Sequence, residues 1–160
     1  MFEEYEKALE KHQKSLKVTS LPLISWDFYG LQMHEIKEFN TLQNNWKDKI
    51  VYVDIIESKK VIIVTDHNFK IIFSSRNVTE MNGYNYREII GKSPRIFQGK
   101  ETSEETKNNI RLAIKERKPF KEVILNYKKN GETYLCEIDA LPKFDRKGNF
   151  LNYIAFEKTA

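Results

Sequence analysis

His12, His34 and His67 are the chain's three histidines, and Cys136 is its single cysteine. These are the residue types that bind transition metals or act as nucleophiles, so their spacing decides whether such chemistry is available. The histidines fall in different elements, and none stands at ligand spacing from a cysteine or an acid, so a zinc-type site is not indicated. One cysteine excludes an intramolecular disulfide and fits a reducing, cytoplasmic compartment. Cys136 reads as a buried packing residue rather than a redox sensor, because nothing near it in sequence would lower its pKa. No glycine-rich phosphate loop and no nucleophile elbow occurs. Glu104 and Glu105 are better placed as helix-terminal residues than as an acid–base pair. The residues do not indicate an enzyme.

The bulk chemistry is that of a globular domain. The chain has 160 residues, 40% hydrophobic and 31% charged, enough to bury a core and too apolar for a disordered tail. Its formal charge of +4 comes mostly from lysines scattered among acids. No basic stripe with interleaved aromatics points to nucleic acid, and nothing points to a membrane surface. No apolar run approaches bilayer length, and the N-terminus opens with charged residues rather than an apolar signal core.

Two regions divide near residue 60. In the first, Phe2, Tyr5, Leu9, His12 and Leu16 recur at alternating spacings of three and four, a coiled-coil-like stripe. It fits dimerisation or packing against its own domain equally well. Leu21-Pro22-Leu23 breaks that helix, and a second is expected over 33–46, with Ile36, Phe39, Leu42 and Trp46 as its apolar positions. From Val61 onward the pattern changes. Val61–Thr65 and Phe69–Ser74 read as strands around an Asp66-His67-Asn68 turn. Asn77 with Glu80, then Asn85 with Glu88, predict two short capped helices ending at Gly83 and Gly91. Thr102-Ser103-Glu104-Glu105 reads as a capping box for a longer helix with Ile110, Ala113 and Ile114 on one face, stopped by Pro119. Strands over 120–127, 132–141 and 150–157 follow, joined by turns at Asn130-Gly131 and Asp145–Gly148. The order implies an α+β fold: an antiparallel sheet with helices on one face, preceded by an N-terminal helical extension (1–60 and 61–160).

The stretch Gly91-Lys92-Ser93-Pro94-Arg95-Ile96-Phe97-Gln98-Gly99 resembles the signature loop of light-oxygen-voltage (LOV) domains, the flavin-binding branch of the PAS sensor family. That loop reads Gly-x-Asn-Cys-Arg-Phe-Leu-Gln-Gly. Gly83-Tyr84, Glu88, Thr102, Ile110-Arg111-x-Ala113-Ile114 and Asn126-Tyr127-x-Lys129-x-Gly131 extend the resemblance over about residues 60–157. It implies a PAS fold with a five-stranded sheet. It also implies that Arg95 and Arg111 hold a flavin phosphate, as forked guanidiniums can, and that Gln98 and Asn126 bond the ring system. Pro94 stands where the family has its reactive cysteine, Cys136 where it has a second ring-binding asparagine, and Glu157 where it has the glutamine whose amide flips. Adduct photochemistry is therefore not expected.

Strand alternation complements this. With Asn126 facing inward, Ile124 does too; Tyr134, Cys136, Ile138 and Ala140 share one face of the next strand, and Tyr153, Ala155 and Glu157 align on the last. Such a lining suits a small-molecule site, and equally a filled core. The expectation is a stand-alone PAS sensory module acting in trans on a partner protein, as a homodimer, with a small ligand in the candidate site Arg95, Gln98, Arg111, Asn126, Cys136 and Glu157. The alternatives are an interaction and dimerisation domain with a filled core, or a flavin-binding redox sensor. The cofactor is left open between flavin mononucleotide, another flavin and none. Haem is disfavoured, because no histidine follows His67 to ligate it from the long helix. Leu9→Asp is expected to leave a monomer in sedimentation; an unchanged profile would remove the Phe2–Leu16 stripe from the dimer contact.

Overall fold

The structure, a computed structural model, describes residues 23–52 and 59–160, with side chains from residue 32 onward. The stripe from Phe2 to Leu16 and the break at Leu21-Pro22 lie outside the described residues. The chain divides into two compact units, Met1–Ile36 and Lys37–Ala160. Helix α1, Leu23–Leu42, begins well before the expected Met33. The twenty residues of this helix contain no proline, so nothing interrupts its backbone hydrogen bonding before Leu42. A short 3₁₀ turn, Gln43–Asn45, then carries the chain to Trp46.

Within the second unit, strands β1 (Val61–Thr65), β2 (Ile71–Ser74), β3 (Phe120–Tyr127), β4 (Thr133–Phe144) and β5 (Phe150–Thr159) form one sheet. Its order is β2-β1-β5-β4-β3, and every pairing is antiparallel. Helices α2 (Val78–Asn82), α3 (Tyr86–Ile89) and α4 (Glu104–Lys115) and a 3₁₀ turn (Pro94–Phe97) connect β2 to β3. This is the α+β sheet-and-helix arrangement expected from the sequence.

Several local signals act as their chemistry dictates. Asn85 and Glu88 make a reciprocal capping box at α3. Gly83 closes α2 at φ 78°, a left-handed turn that other residues rarely adopt. Others are overridden by tertiary partners. Asn77 makes no capping bond; its amide donates instead to the Lys60 carbonyl and ties α2 to the start of β1. The cap of α4 is Ser103, not Thr102, whose hydroxyl is taken up elsewhere. Phe69 lies at φ 58° inside the turn, so β2 starts at Ile71. Strand β4 continues past Leu141 through Pro142. Its β3 partner begins only opposite Ala140, so the missing N–H falls where one side has no neighbour.

All five residues of β1 are buried, which requires cover on both sheet faces. Val61 and Ile63 pack inward with Ile71, Val78, Ile89 and Phe97. On the other face the aromatic side chains of residues 37–52 provide the cover. The Phe39 ring lies 5.4 Å from Phe73 and 4.8 Å from Tyr52. Trp46 donates its indole N–H to the Asn152 side chain at 2.8 Å. The Gln43 amide clamps both backbone groups of Ile50, at 2.8 and 3.0 Å. Residues 37–52 thus share the sheet's core. Phe39→Ala is expected to cost about 3–5 kcal/mol in urea unfolding. A chain beginning at Lys60, with Ile62, Val64 and Phe73 uncovered, is expected to unfold at lower urea still; equal midpoints would remove the segment from the folding unit.

Candidate functional site

Helix α4 has the expected amphipathic pattern, yet none of its residues is fully buried. Ile110, Ala113 and Ile114 are only half-buried. Beneath them lies a cavity of about 660 Å³, floored by the sheet. Two anchors hold the helix over it. At its N-terminal end, the Thr102 hydroxyl accepts from Gly99 N–H at 2.9 Å and donates to the Leu125 carbonyl of β3 at 2.8 Å. The Tyr127 hydroxyl accepts from Glu101 N–H beside it. Gly99 is required here, because a Cβ would collide with the Tyr127 ring. At the C-terminal end, the Tyr153 hydroxyl of β5 lies 3.2 Å from the Ala113 carbonyl and 3.0 Å from that of Lys118. Burial pushes the Tyr153 hydroxyl up to about 12, so it stays a donor.

The inward faces of the strands build the floor. Ile124 and Asn126 of β3, Ile138 and Ala140 of β4, and Ala155 and Glu157 of β5 line it, the parity expected from alternation. Arg95, Gln98 and Arg111 line it from the helical side. Five of the six candidate residues therefore meet at one cavity. Cys136 does not line it. Fully buried, it packs with Ile124 and Tyr134 behind the wall, where its thiol donates to Glu157 Oε2 at 3.7 Å. Burial, and then the neighbouring Glu157 carboxylate, push this thiol above its ordinary value.

Polarity is arranged from mouth to floor. Arg95 and Arg111 are exposed at the mouth. Arg111 bonds Asn108 at 2.7 Å and reaches Glu104 at 4.0 Å, while Arg95 has no ion pair among the described residues. Deeper, Asn126 is buried, and Glu157 is 5% exposed. Burial raises the Glu157 carboxyl from its usual 4.5 to about 7, opposed by the thiol that bonds it. A neutral carboxylic acid can donate as well as accept, so this side chain can offer a hydrogen to the cavity. Thr65, also on the wall, is 7% exposed and its hydroxyl has no partner. A buried hydroxyl left unpaired inside a closed core costs stability, and a ligand in the cavity would supply the missing partner.

These features fit a planar, ring-bearing molecule with an anionic tail: an apolar floor with amides and an acid at its edge, and guanidiniums at the mouth. Thr65 and Phe69 were not among the lining residues read from the sequence, whereas Tyr153 was, by its parity with Ala155 and Glu157. The parity of Thr65 with Val61 and Ile63 was the available signal for it. Phe69 and Tyr153, whose rings lie 6.1 Å apart, close the end of the cavity near the β1–β2 turn.

The model of the PAS domain matches residues 59–158. The chain belongs to the PAS family. It is 32% identical over 102 residues to phototropin-2 of Oryza sativa subsp. japonica, covering 62% of this chain and 11% of that protein. It is 31% identical over 100 residues to the blue-light photoreceptor of Listeria innocua serovar 6a, covering 61% of this chain and 39% of the relative. This PAS chain therefore spans less than half the length of these curated relatives. The dark structure of the Aureochrome1 LOV domain superposes with a TM-score of 0.64 at 25% identity, over 71% of this chain and 86% of that one. The light-state structure gives 0.61 at 26% identity, over 69% and 89%. Relatives and structural neighbours thus include the light-oxygen-voltage branch. No helix among the described residues is long and apolar enough to cross a membrane.

Glu157 makes a pH-dependent prediction. Its folded-state pKa lies above its unfolded value, so the folded chain holds a proton that the unfolded chain releases between pH 4.5 and about 7. Stability therefore falls as pH rises through that window, by about 3 kcal/mol, and levels off above it. Glu157→Gln removes this dependence. Relative to the native chain, it is expected to be more stable in urea at pH 8 and little changed at pH 4. An equal difference at both pH values would place the Glu157 carboxyl in water.

Proposed function

We propose that this PAS domain is a sensor that binds a small, ring-bearing anionic molecule under α4 and passes its state to a partner protein. The observation that carries the reading is the helix itself: it is anchored at both ends and fully buries no residue over a cavity of about 660 Å³. That volume lies within the range of small-molecule sites. A flavin, whose analogue figures in one LOV-domain structure similar in fold, matches the polar layout and is the ligand to test first.

Arg95 and Arg111 would grip its phosphate. Asn126, Gln98 and the protonated Glu157 would meet the polar edge of its rings, and Ile124, Ile138 and Ala155 would contact their faces. A bound flavin supplies light absorption and redox chemistry. The chain's own groups supply no thiol at Pro94, and Cys136 stands behind the wall with its proton held toward Glu157. Signalling in this reading proceeds without covalent attachment of a cysteine to the rings. It is sensory rather than catalytic, and cytoplasmic.

The output surface in this reading is the outer face of the sheet. Residues 37–52 cover β1 and β2 there, while Val123 of β3 and Leu135 of β4 remain 50% and 49% exposed. A partner protein, or a second copy of the chain, would dock on these strands.

The test is an absorption spectrum of freshly purified protein, with mass spectrometry of whatever denaturation releases. Stoichiometric flavin is expected, lost or strongly reduced in Arg95→Ala and Asn126→Ala. Blue light is expected to change the spectrum identically in the native chain and in Cys136→Ala. A colourless protein that releases nothing and binds no added flavin would refute the flavin assignment and favour an interaction domain. Light-induced bleaching abolished by Cys136→Ala would refute the adduct-free mechanism.

A further inference from the structure

Asn152 stands in the interior of β5, where asparagine is depleted and β-branched or aromatic residues are favoured. Its amide joins two layers of the fold. The Trp46 indole N–H donates to its Oδ1 at 2.8 Å, and its Nδ2 donates to the Thr65 carbonyl at 3.2 Å. An indole N–H can only donate and a carbonyl can only accept, so the amide has one allowed orientation. Flipping it would break both bonds. Thr65 is also the residue whose unpartnered hydroxyl lines the cavity. One residue therefore faces the cavity with its side chain and the Asn152 amide with its carbonyl.

The sheet is irregular on both sides of this link. The β1–β2 pairing shifts register between Val64 and Thr65, and the β4–β5 pairing between Lys143 and Phe144. Such an irregularity disrupts the ladder locally, so backbone there can shift without carrying the rest of the sheet with it. Lys143 is the β4 partner of Asn152. Its ammonium is buried, 5.2 Å from the centre of the Trp46 ring, and donates to the Asp48 carbonyl at 3.2 Å. An ammonium held away from water in this way is costly. Lifting Trp46 would lose the packing of its ring but return that charge to water. The seated and lifted arrangements of the cover therefore differ by less than the burial of Trp46 alone implies.

From this arrangement we infer that Asn152 couples the cavity to the outer cover. A change at the Thr65 hydroxyl passes through the Asn152 amide to Trp46 and sets how firmly residues 43–52 are seated on the sheet. Coupling of this kind needs an element with two arrangements that the site can bias, and Trp46 against Lys143 is that element. The cover is thereby an outlet separate from the exposed strands β3 and β4. The inference concerns what the cavity wall drives, not what the cavity holds, and it stands independently of the ring-ligand reading.

The test follows the indole N–H resonance of Trp46 by nuclear magnetic resonance in the full chain, with no ligand added. The chain has two tryptophans, so Trp26→Phe identifies the signal. Thr65→Val removes the cavity hydroxyl, keeps the side chain's shape and is expected to move the Trp46 resonance. Asn152→Asp keeps an acceptor for Trp46 and deletes the donor to Thr65. In that background Thr65→Val is expected to leave the Trp46 resonance in place. An Asn152 that merely packs the cover would alter the resonance itself but not its dependence on Thr65. A Trp46 signal that ignores Thr65→Val in the native chain would overturn the inference, as would one that moves equally in the Asn152→Asp background. Should Thr65→Val not fold, the reciprocal measurement decides, because coupling runs equally in both directions. Trp46→Phe keeps a ring and drops the donor, and is expected to move the Thr65 amide resonance more in the native chain than in Asn152→Asp. Equal movement in the two would refute the coupling.

Discussion

Everything about the cavity depends on how α4 is held. An amphipathic helix over a sheet ordinarily sinks until its apolar face is buried, because each buried side chain contributes about 1.5–3 kcal/mol. Here two sets of side chain to backbone hydrogen bonds stop it at fixed points. Thr102 and Tyr127 secure the entry to β3, and Tyr153 secures the exit to β5. Between them Ile110 and Ile114 stay half-exposed to a hollow that they cannot close without breaking a pinned end. The hydrogen bonds are individually modest, but they act at both ends of a rigid rod, so the middle has no independent freedom to collapse. The cost of the hollow is lost burial under one helix. The rest of the core is closed: all five residues of β1 are buried, as are Ile71 and Phe73 of β2.

The second consequence is a graded polarity inside the hollow. Small or aliphatic residues on the three central strands leave room: Ala140 and Ala155 face each other across β4 and β5 as direct partners. Their methyl groups flatten the floor where larger side chains would fill it. Polar groups appear only at its edge, and Glu157 is set there in surroundings that favour its neutral form. The positive charges stay at the mouth, in contact with water, where they need no buried counter-ion. This ordering avoids the burial of an unpaired charge, and it gives an incoming anion a defined orientation, tail outward.

Much of this layout was legible in the sequence, and what was missed has identifiable causes. Period-two alternation placed Ile124, Asn126, Ile138, Ala140, Tyr153, Ala155 and Glu157 on one side, because a pleated strand leaves no other choice. The Asn85–Glu88 capping box was readable because both partners are local. Thr102 and Asn77 misled for the opposite reason: each has cap chemistry, but its side-chain oxygen already accepts from another donor, the Gly99 N–H or the Ser75 hydroxyl. Cys136 shares the inward parity yet lies behind the wall, since parity fixes a face and not a depth. The hollow itself was invisible, because a lined cavity and a packed core have the same pattern of apolar residues. Nor did periodicity show that Phe39 and Trp46 belong to the sheet's outer cover. A helical stripe declares that something is buried, but not against what.

The same alternation that hides the cavity links it to the far face of the sheet. On β5, Glu157 lies between Phe156 and Lys158, which point to the opposite side; on β3, Asn126 lies between Leu125 and Tyr127. In the proposed reading, a ligand that changed its hydrogen bond to Glu157 or Asn126 would pull on a backbone whose adjacent residues form the outer surface. At β3 the pull has a second recipient, because the Leu125 carbonyl accepts from Thr102 and Tyr127 bonds the loop that leads into α4. In the proposed reading, side-chain rearrangement at the floor would be shared by the helix anchor and the exposed strands. β3 is an edge strand paired with β4 alone, whereas β1 is paired with β2 and β5 and buried on both faces. In the reading proposed above, this asymmetry of the sheet would carry a change in the cavity toward Val123 and Leu135, on the strands without cover.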